Sequence, residues 1–282
     1  MSLFCSVLAI EHFNIDLNST TIALTRETNG GILLGAKIYD LEKYSDKVAL
    51  RKKIKKQPED FSVFLPHDGA SRSIRREAIN HPLCRNVFYL EEGTLSHLTY
   101  PYRLSNDAKK ICKIPILGRK LEKFLRKPYF SAPNKNFVRL TTGAFPTEKR
   151  NSIITLSNSE SITKYYKPRI KKSAFILLIS QSVQFENFYA ACGDFFRSET
   201  KKAVYVKMHP DLYKEKLKNK RGKIVEFFNS VGAEILDSGT IVEAEMLLRR
   251  HHVISSTNSS LAYYAHYFGS EYTILNIFPL SD

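Results

Sequence analysis

Cysteine is scarce in this chain, and no two cysteines are close. Cys5, Cys84, Cys112 and Cys192 form no C-x-x-C pair, which removes a zinc knuckle and a redox dithiol from consideration. Scattered thiols in a chain of 282 residues fit a reducing compartment. No apolar run approaches the ~18 residues that a membrane span needs. The stretch MSLFCSVLAI (1–10) lacks the basic start and full apolar segment of a signal peptide. Fixed-period repeats and low-complexity tracts are also absent. The expectation is a cytoplasmic protein that could attach peripherally to the inner face of the cytoplasmic membrane.

Acidic residues are the second shortage. The 28 Asp+Glu stand against 43 Lys+Arg, for a net charge of +15. Such an excess favours anionic partners: nucleic acid, phosphorylated substrates or an acidic membrane face. Apolar residues are not short. At 43% they allow a sizeable core, and the length suits two domains of moderate size.

The order of elements is α/β. In the first half, LFCSVLAI (3–10), TTIALT (20–25), FSVFLP (61–66) and NVFYLEEG (86–93) read as strands. GILLGAKIYDL (31–41) is ambiguous, while VALRKKIKKQ (48–57) and SIRREAIN (73–80) read as helices. Residues 101–150 carry five prolines and little periodicity, and read as an irregular connecting region with one amphipathic helix near 117–127. Beyond it, strands AFILLIS (174–180), AVYVKMHP (203–210), AEIL (233–236), HVISS (252–256) and YTILNIF (272–278) alternate with helical segments. That alternation means βαβ units and parallel sheets. The expected architecture is two Rossmann-like domains facing across a cleft, 1–150 and 151–282.

Open parallel sheets bind ligands at the carboxyl ends of their strands. The residues there are Pro66-His67-Asp68-Gly69, Glu91-Glu92-Gly93, Ser180-Gln181-Ser182, His209-Pro210 and the run Ser255-Ser256-Thr257-Asn258-Ser259-Ser260. Adjacent Glu91 and Glu92 repel, and partial desolvation beside a sheet edge raises a carboxyl pKa toward the range of a general base. Gly93 permits a sharp turn or close approach to a ligand. The plain alternative is a helix cap on a solvated loop. His209 can donate to a phosphate and protonate a leaving group; its plain alternative is a cap of the helix that Pro210 begins. The serine-rich run places hydroxyls beside the free N–H groups of a helix start, which suits an anion. Ordinary capping uses the same residues.

The ordered set E-E-G (91–93), H-P (209–210) and S-S (255–256), with Ser259-Ser260 close behind, resembles the bacterial sialyltransferases, among them the lipooligosaccharide and capsule-polymer enzymes. The resemblance spans about residues 60–282. It implies a GT-B fold and an inverting, metal-independent transfer of sialic acid from CMP-sialic acid to a glycan hydroxyl of lipopolysaccharide, O-antigen or capsule. No cofactor or metal is implied, and no D-x-D carboxylate pair is present to hold one. By the same resemblance Glu91 or Glu92 would be the base, with Glu91 preferred. His209 would assist departure of CMP. Ser255, Ser256 and the following helix start, with Asn258, Ser259, Ser260 and Pro210, would surround the phosphate. Ser180, Gln181 and Ser182 would line the nucleotide, Glu243 would hold the cytidine ribose, and His67, Asp68 and Gly93 would lie on the acceptor side.

The basic stretch KKICKIPILGRKLEKFLRK (109–127) puts apolar residues on one side of a helix ringed by Lys and Arg, a pattern for an anionic bilayer surface or for a core-packed helix with a solvated face. Three rival readings remain: transfer of another CMP-activated acid (Kdo, legionaminic or pseudaminic acid), a basic nucleic-acid-binding protein, and a non-catalytic member of the fold. The basic clusters are dispersed and none forms a recognisable RNA-binding signature, which disfavours nucleic acid. Neither the acceptor sugar, the linkage nor the oligomeric state can be read from the sequence.

Overall fold

The computed structural model of the chain describes residues 2–24, 37–41, 43–67, 73–91, 96–98, 102–103, 127–156, 160–164, 166–199, 201–257 and 259–275. The chain divides into two compact units, residues 1–9 with 44–157, and residues 10–43 with 158–282. It opens on helix α1 (Ser2–His12), followed by a parallel pair of short strands, β1 (Thr21–Leu24) and β2 (Lys37–Asp40). Helix α2 (Tyr44–Lys55), strand β3 (Phe61–Leu65), helix α3 (Ile74–Ile79) and strand β4 (Cys84–Leu90) come next. A two-residue antiparallel pair, β5 (Tyr102–Arg103) and β6 (Lys127–Pro128), precedes strands β7 (Lys135–Arg139) and β8 (Ile153–Thr155).

Strands β3, β4, β7 and β8 form a four-stranded parallel sheet in that order. Side chains alternate faces along a strand. On one face of β4, Val87 and Tyr89 join Leu65, Phe137, Ile79, Phe130 and Phe145 in a buried cluster. On the other, Phe88 stacks on Phe64 with ring centroids 4.6 Å apart. The Tyr89 hydroxyl accepts from the Ala132 N–H at 3.2 Å, so the loop before β7 is tied to the strand beneath it. Ser73 caps α3 by accepting from the Arg76 N–H.

The second unit holds strands β9 (Ala174–Ile179), β10 (Ala203–Met208), β11 (Glu234–Ile235), β12 (His252–Ser255) and β13 (Glu271–Ile274). Helices α4 (Phe185–Ala191), α5 (Gly193–Ser198), α6 (Lys218–Ser230), α7 (Val242–Leu248) and α8 (Leu261–Tyr267) alternate with them. All strand pairs are parallel and the order is β11-β10-β9-β12-β13. AFILLI in β9 is nearly all buried, as expected of a central parallel strand covered on both faces. Phe188, Ile224 and Phe228 of the helices pack on Phe175, Leu177, Val206, Met208 and Ile254 of the sheet.

Helices α6 and α8 end alike. Gly232 (φ +75°) and Gly269 (φ +69°) each take the left-handed conformation just past the cap. Each allows paired terminal bonds: Ala233 N–H to Phe228 O at 2.9 Å with Gly232 N–H to Asn229 O, and Ser270 N–H to Ala265 O at 2.8 Å with Gly269 N–H to His266 O. The turn into β11 and the turn into β13 are therefore set by a glycine visible in the sequence.

Two expectations fail. Residues 3–10 form a helix, not a strand: Phe4, Cys5, Val7, Leu8, Ala9 and Ile10 are all buried, so both faces are apolar and no period distinguishes the two states. The expected connecting region contains β7, an interior strand of the first sheet. Its five residues KNFVR hold only two apolar side chains between charged ends, too few to show alternation. Most of the expected basic helix at 109–127, namely 109–126, lies outside the described residues. Among the described residues, no helix is long and apolar enough to cross a membrane.

Candidate functional site

The strand order β11-β10-β9-β12-β13 builds outward from β9 on one side, then reverses to its other side. Such a reversal splays the connections and opens a crevice at the carboxyl ends of the two strands it separates. Those strands are β9, followed by Ser180, and β12, ending in Ser255. His209 lies at the end of β10, and its N–H continues the ladder to the Ile179 carbonyl at 2.8 Å, next to Ser180. Residues expected at a ligand site from three separate stretches therefore emerge on three adjacent strand ends.

Their side chains are not equivalent. His209 Nδ1 accepts the Asp211 N–H at 3.2 Å, so the cap anticipated from sequence is formed. A neutral ring that accepts at Nδ1 carries its proton on Nε2. Asp211 Oδ2 lies 3.5 Å from Nδ1, and Lys214 pairs with the same carboxylate. Pro210 opens the short 3₁₀ turn. Ser180 and Ser182 share a hydroxyl hydrogen bond of 3.1 Å, while the Gln181 carbonyl accepts from Lys220 Nζ at 2.6 Å. These contacts tie the exposed loop after β9 to itself and to α6.

At the end of β12 the Ser255 hydroxyl is consumed locally. It donates to the Thr257 carbonyl at 2.8 Å and accepts the Thr257 N–H at 3.3 Å. Ser259 accepts from the Leu261 N–H at 3.3 Å, and Ser260 makes no side-chain cap. Ser256 differs: its Oγ is buried and has no hydrogen-bond partner. A buried hydroxyl without a partner is costly. Helix α8 is only seven residues long, so its dipole adds little at this strand end. Tyr272 of β13 brings its phenol to Ser255 and Ser259; burial raises its pKa and those hydroxyls oppose the rise. Asn258 lies outside the described residues.

Glu243 is buried in the first turn of α7. Lys207, two residues before His209 on the same face of β10, is close enough to feel it. Burial pulls the Lys207 ammonium down to about 8, against the upward pull of Asp237 and Glu243. Its Nζ donates to the Asp237 and Ser238 carbonyls at 2.8 and 3.0 Å, fixing the loop after β11. Two residues on, Glu245 accepts from the Tyr166 hydroxyl at 2.6 Å and from the Arg169 and Ile170 N–H groups at 2.8 and 3.2 Å. Burial, then that carboxylate, push the Tyr166 phenol well above its ordinary pKa. Lys207 was readable from its two-residue offset to His209. Glu245 and Tyr166 were not, because their partners lie over seventy residues away.

In the first unit Glu91 sits just past β4 and is 0% exposed. Its Oε2 accepts from the Leu140 and Thr141 N–H groups at 2.7 and 2.8 Å, and its Oε1 from the Thr141 hydroxyl at 2.7 Å. His97 Nε2 lies 3.3 Å from the same Oε1. The carboxylate thus ties the end of β4 to the loop after β7. His67, past β3, lies against Arg75 Nη1 at 3.0 Å and edge-on to Tyr129. Asp68, Glu92 and Gly93 lie outside the described residues.

A family model described as alpha-2,8-polysialyltransferase matches residues 38–276. No curated protein matches the chain at a significant level.

Proposed function

The chain belongs to the alpha-2,8-polysialyltransferase family, and from that premise we propose an inverting transfer of sialic acid from CMP-sialic acid to a glycan hydroxyl, without a metal in the reaction. Enzymes of this family are CMP-sialic-acid-dependent sialyltransferases, so the donor and a glycan acceptor are the substrates. The name alpha-2,8-polysialyltransferase supports a sialic acid as the acceptor terminus, and a capsule or lipopolysaccharide glycan is the acceptor of this reading. The observation that carries the reading is the placement of His209, Ser180 and Ser256 at the carboxyl ends of three adjacent parallel strands where the strand order reverses.

On this reading the second unit holds the nucleotide. His209 donates from Nε2 to the departing CMP phosphate, with Nδ1 held by the Asp211 N–H. Ser256 fills its hydrogen-bond capacity on the same phosphate, and Ser180, Gln181 and Ser182 line the nucleotide. Glu243, beside Lys207, takes the ribose hydroxyls. Pro210, Ser255, Asn258, Ser259 and Ser260 are assigned to the phosphate side. The base comes from the first unit. His67, Asp68 and Gly93 line the acceptor side there.

The acidic pair divides its labour. Every oxygen of Glu91 is engaged by structural donors, which suits a positioning residue and not a base. We therefore assign proton removal to Glu92. The acceptor oxygen loses its proton to Glu92 and bonds to the anomeric carbon of sialic acid. The bond from that carbon to the phosphate oxygen breaks with both electrons leaving on CMP. Charge development is the barrier, and fixed donors aimed at the phosphate lower it without reorganising.

The test is CMP release from CMP-sialic acid with a sialylated acceptor, beside a thermal-shift series with CMP, UDP and GDP. CMP alone should raise the melting temperature, and His209→Asn or Ser256→Ala should weaken that shift. Equal shifts with all three nucleotides, or release from CMP-Kdo but not from CMP-sialic acid, would overturn the assignment.

A further inference from the structure

The opposite edge of the five-stranded sheet carries a cluster that the transfer reaction does not use. His252 opens β12 and Glu271 opens β13, and the parallel register sets them side by side. Directly paired residues on adjacent strands present their side chains to one face. Glu199 follows α5 and reaches the same place. One ligand atom from each of Glu199, His252 and Glu271 lies within 4.8 Å of the others. We propose that these three side chains bind a divalent transition-metal ion of the zinc type, which clamps the amino edge of the nucleotide-side sheet.

The His252 ring is the main reason. It is 5% exposed and held between Phe175 and Phe195, with centroids 5.3 and 5.1 Å away. One ring nitrogen, Nε2, is engaged with the Thr273 hydroxyl at 2.8 Å. The other, Nδ1, is buried and has no hydrogen-bond partner, although Glu271 Oε2 is only 3.2 Å away. A nitrogen and a carboxylate oxygen in contact without a hydrogen bond are placed as two ligands of one cation would be. Zinc takes His nitrogen and carboxylate oxygen at about 2.0–2.2 Å, which puts neighbouring ligand atoms roughly 3.3–3.6 Å apart. The three ligand atoms lie within 4.8 Å of one another, so the carboxylates must close by about an ångström to reach that spacing.

The surroundings also fit. The Thr273 contact supplies the outer hydrogen bond that orients a ligating imidazole. An imidazole with two carboxylates selects zinc, cobalt or nickel over magnesium and calcium, which take oxygen ligands. Glu271 is 69% exposed at its side chain, so an ion has an entry path from solvent. Lys202 pairs with Glu199 and lies over the Phe175 ring; the ion would displace it from that carboxylate. The site joins the end of α5 to two strands, so its effect is on stability and not on the transferred group.

The experiment uses the full chain, stripped with a chelator and titrated with Zn²⁺ and, separately, Co²⁺. One equivalent of Zn²⁺ should raise the melting temperature by about 2–4 °C at saturation. Co²⁺ should give visible ligand-field bands without the near-ultraviolet thiolate band, which excludes Cys84 and the other thiols as ligands. Glu271→Gln, an exposed change that leaves the core intact, should weaken binding at least tenfold, and Thr273→Val by about 10–100-fold. His252→Ala should abolish it. Zn²⁺ binding of unchanged affinity in Glu271→Gln, a thiolate band with Co²⁺, or no binding by the wild type sinks the proposal. If His252→Ala fails to fold, the Glu271→Gln titration alone decides.

Discussion

Each unit contains a buried glutamate that accepts from two consecutive backbone N–H groups and one hydroxyl. In the first, Glu91 takes Leu140, Thr141 and the Thr141 side chain. In the second, Glu245 takes Arg169, Ile170 and the Tyr166 hydroxyl. The chemistry is the same but the setting differs. Glu91 follows a strand beside a second carboxylate in sequence; Glu245 lies inside a helix, two residues from Glu243. Motif reading selects Glu91 and passes over Glu245, whereas the donor inventory makes both of them staples. A strand-end carboxylate is therefore catalytic only if its oxygens remain available to substrate.

The sheets differ in the same instructive way. The four-stranded sheet adds its strands in one direction, β3 to β8, while the five-stranded sheet reverses at β9. Only the second makes a strand-order crevice among the described residues, and that is where the unsatisfied hydroxyl of Ser256 is found.

The largest effect expected from this contrast is on Glu92. Glu92→Gln should lower transfer about 10²–10⁴-fold with the melting temperature unchanged. The opposite result, full stability with dead transfer in Glu91→Gln and an active Glu92→Gln, would exchange the two roles. His209→Asn should lower kcat by about 10²-fold, since it removes a donor that strengthens as the phosphate leaves. Glu91→Gln and Glu245→Gln should each destabilise the fold by about 1–3 kcal/mol in urea titrations, because an amide presents N–H where N–H donors already point. A large loss in one and none in the other would break their equivalence.

Lys207 gives a pH signature confined to the second unit. Its native pKa is about 8, below its ordinary 10.5. Below pH 8 it is protonated both folded and unfolded, and burial of the charge opposes folding. Between about pH 8 and 10.5 the unfolded chain holds the proton more tightly, so stability rises with pH. Wild type should thus gain on Lys207→Met by on the order of 1–3 kcal/mol between pH 7 and the top of that window. No gain over that range would show that Lys207 is not buried as a cation. The smallest effect is Ser256→Ala, which should raise KM for the donor by a few fold, about the worth of one hydrogen bond.

Much of the second unit was legible. Each expected strand from 174 to 275 is present, because parallel core strands announce themselves as short apolar runs and glycines 232 and 269 mark the helix ends. The strand-end residues His209, Ser180 and Ser255 fall on adjacent strands as the alternation implied. The first unit was less legible. α1 is apolar on all sides, so no period separates helix from strand, and β7 is too short and too charged at its ends to stand out. The role of Glu91 was hidden as well, since its donors lie fifty residues away in a stretch that reads as irregular.

The amino-acid sequence by itself determined where the chain turns, which runs are buried and which polar residues stand at strand ends, because backbone preference and hydrophobic period act over a few residues. Tertiary structure alone decided the strand order, and with it the placement of His209, Ser180 and Ser256 at adjacent strand ends. It also decided that Glu91 is engaged and that His252 faces Glu271. Those outcomes depend on register and burial between distant segments, which no local pattern encodes.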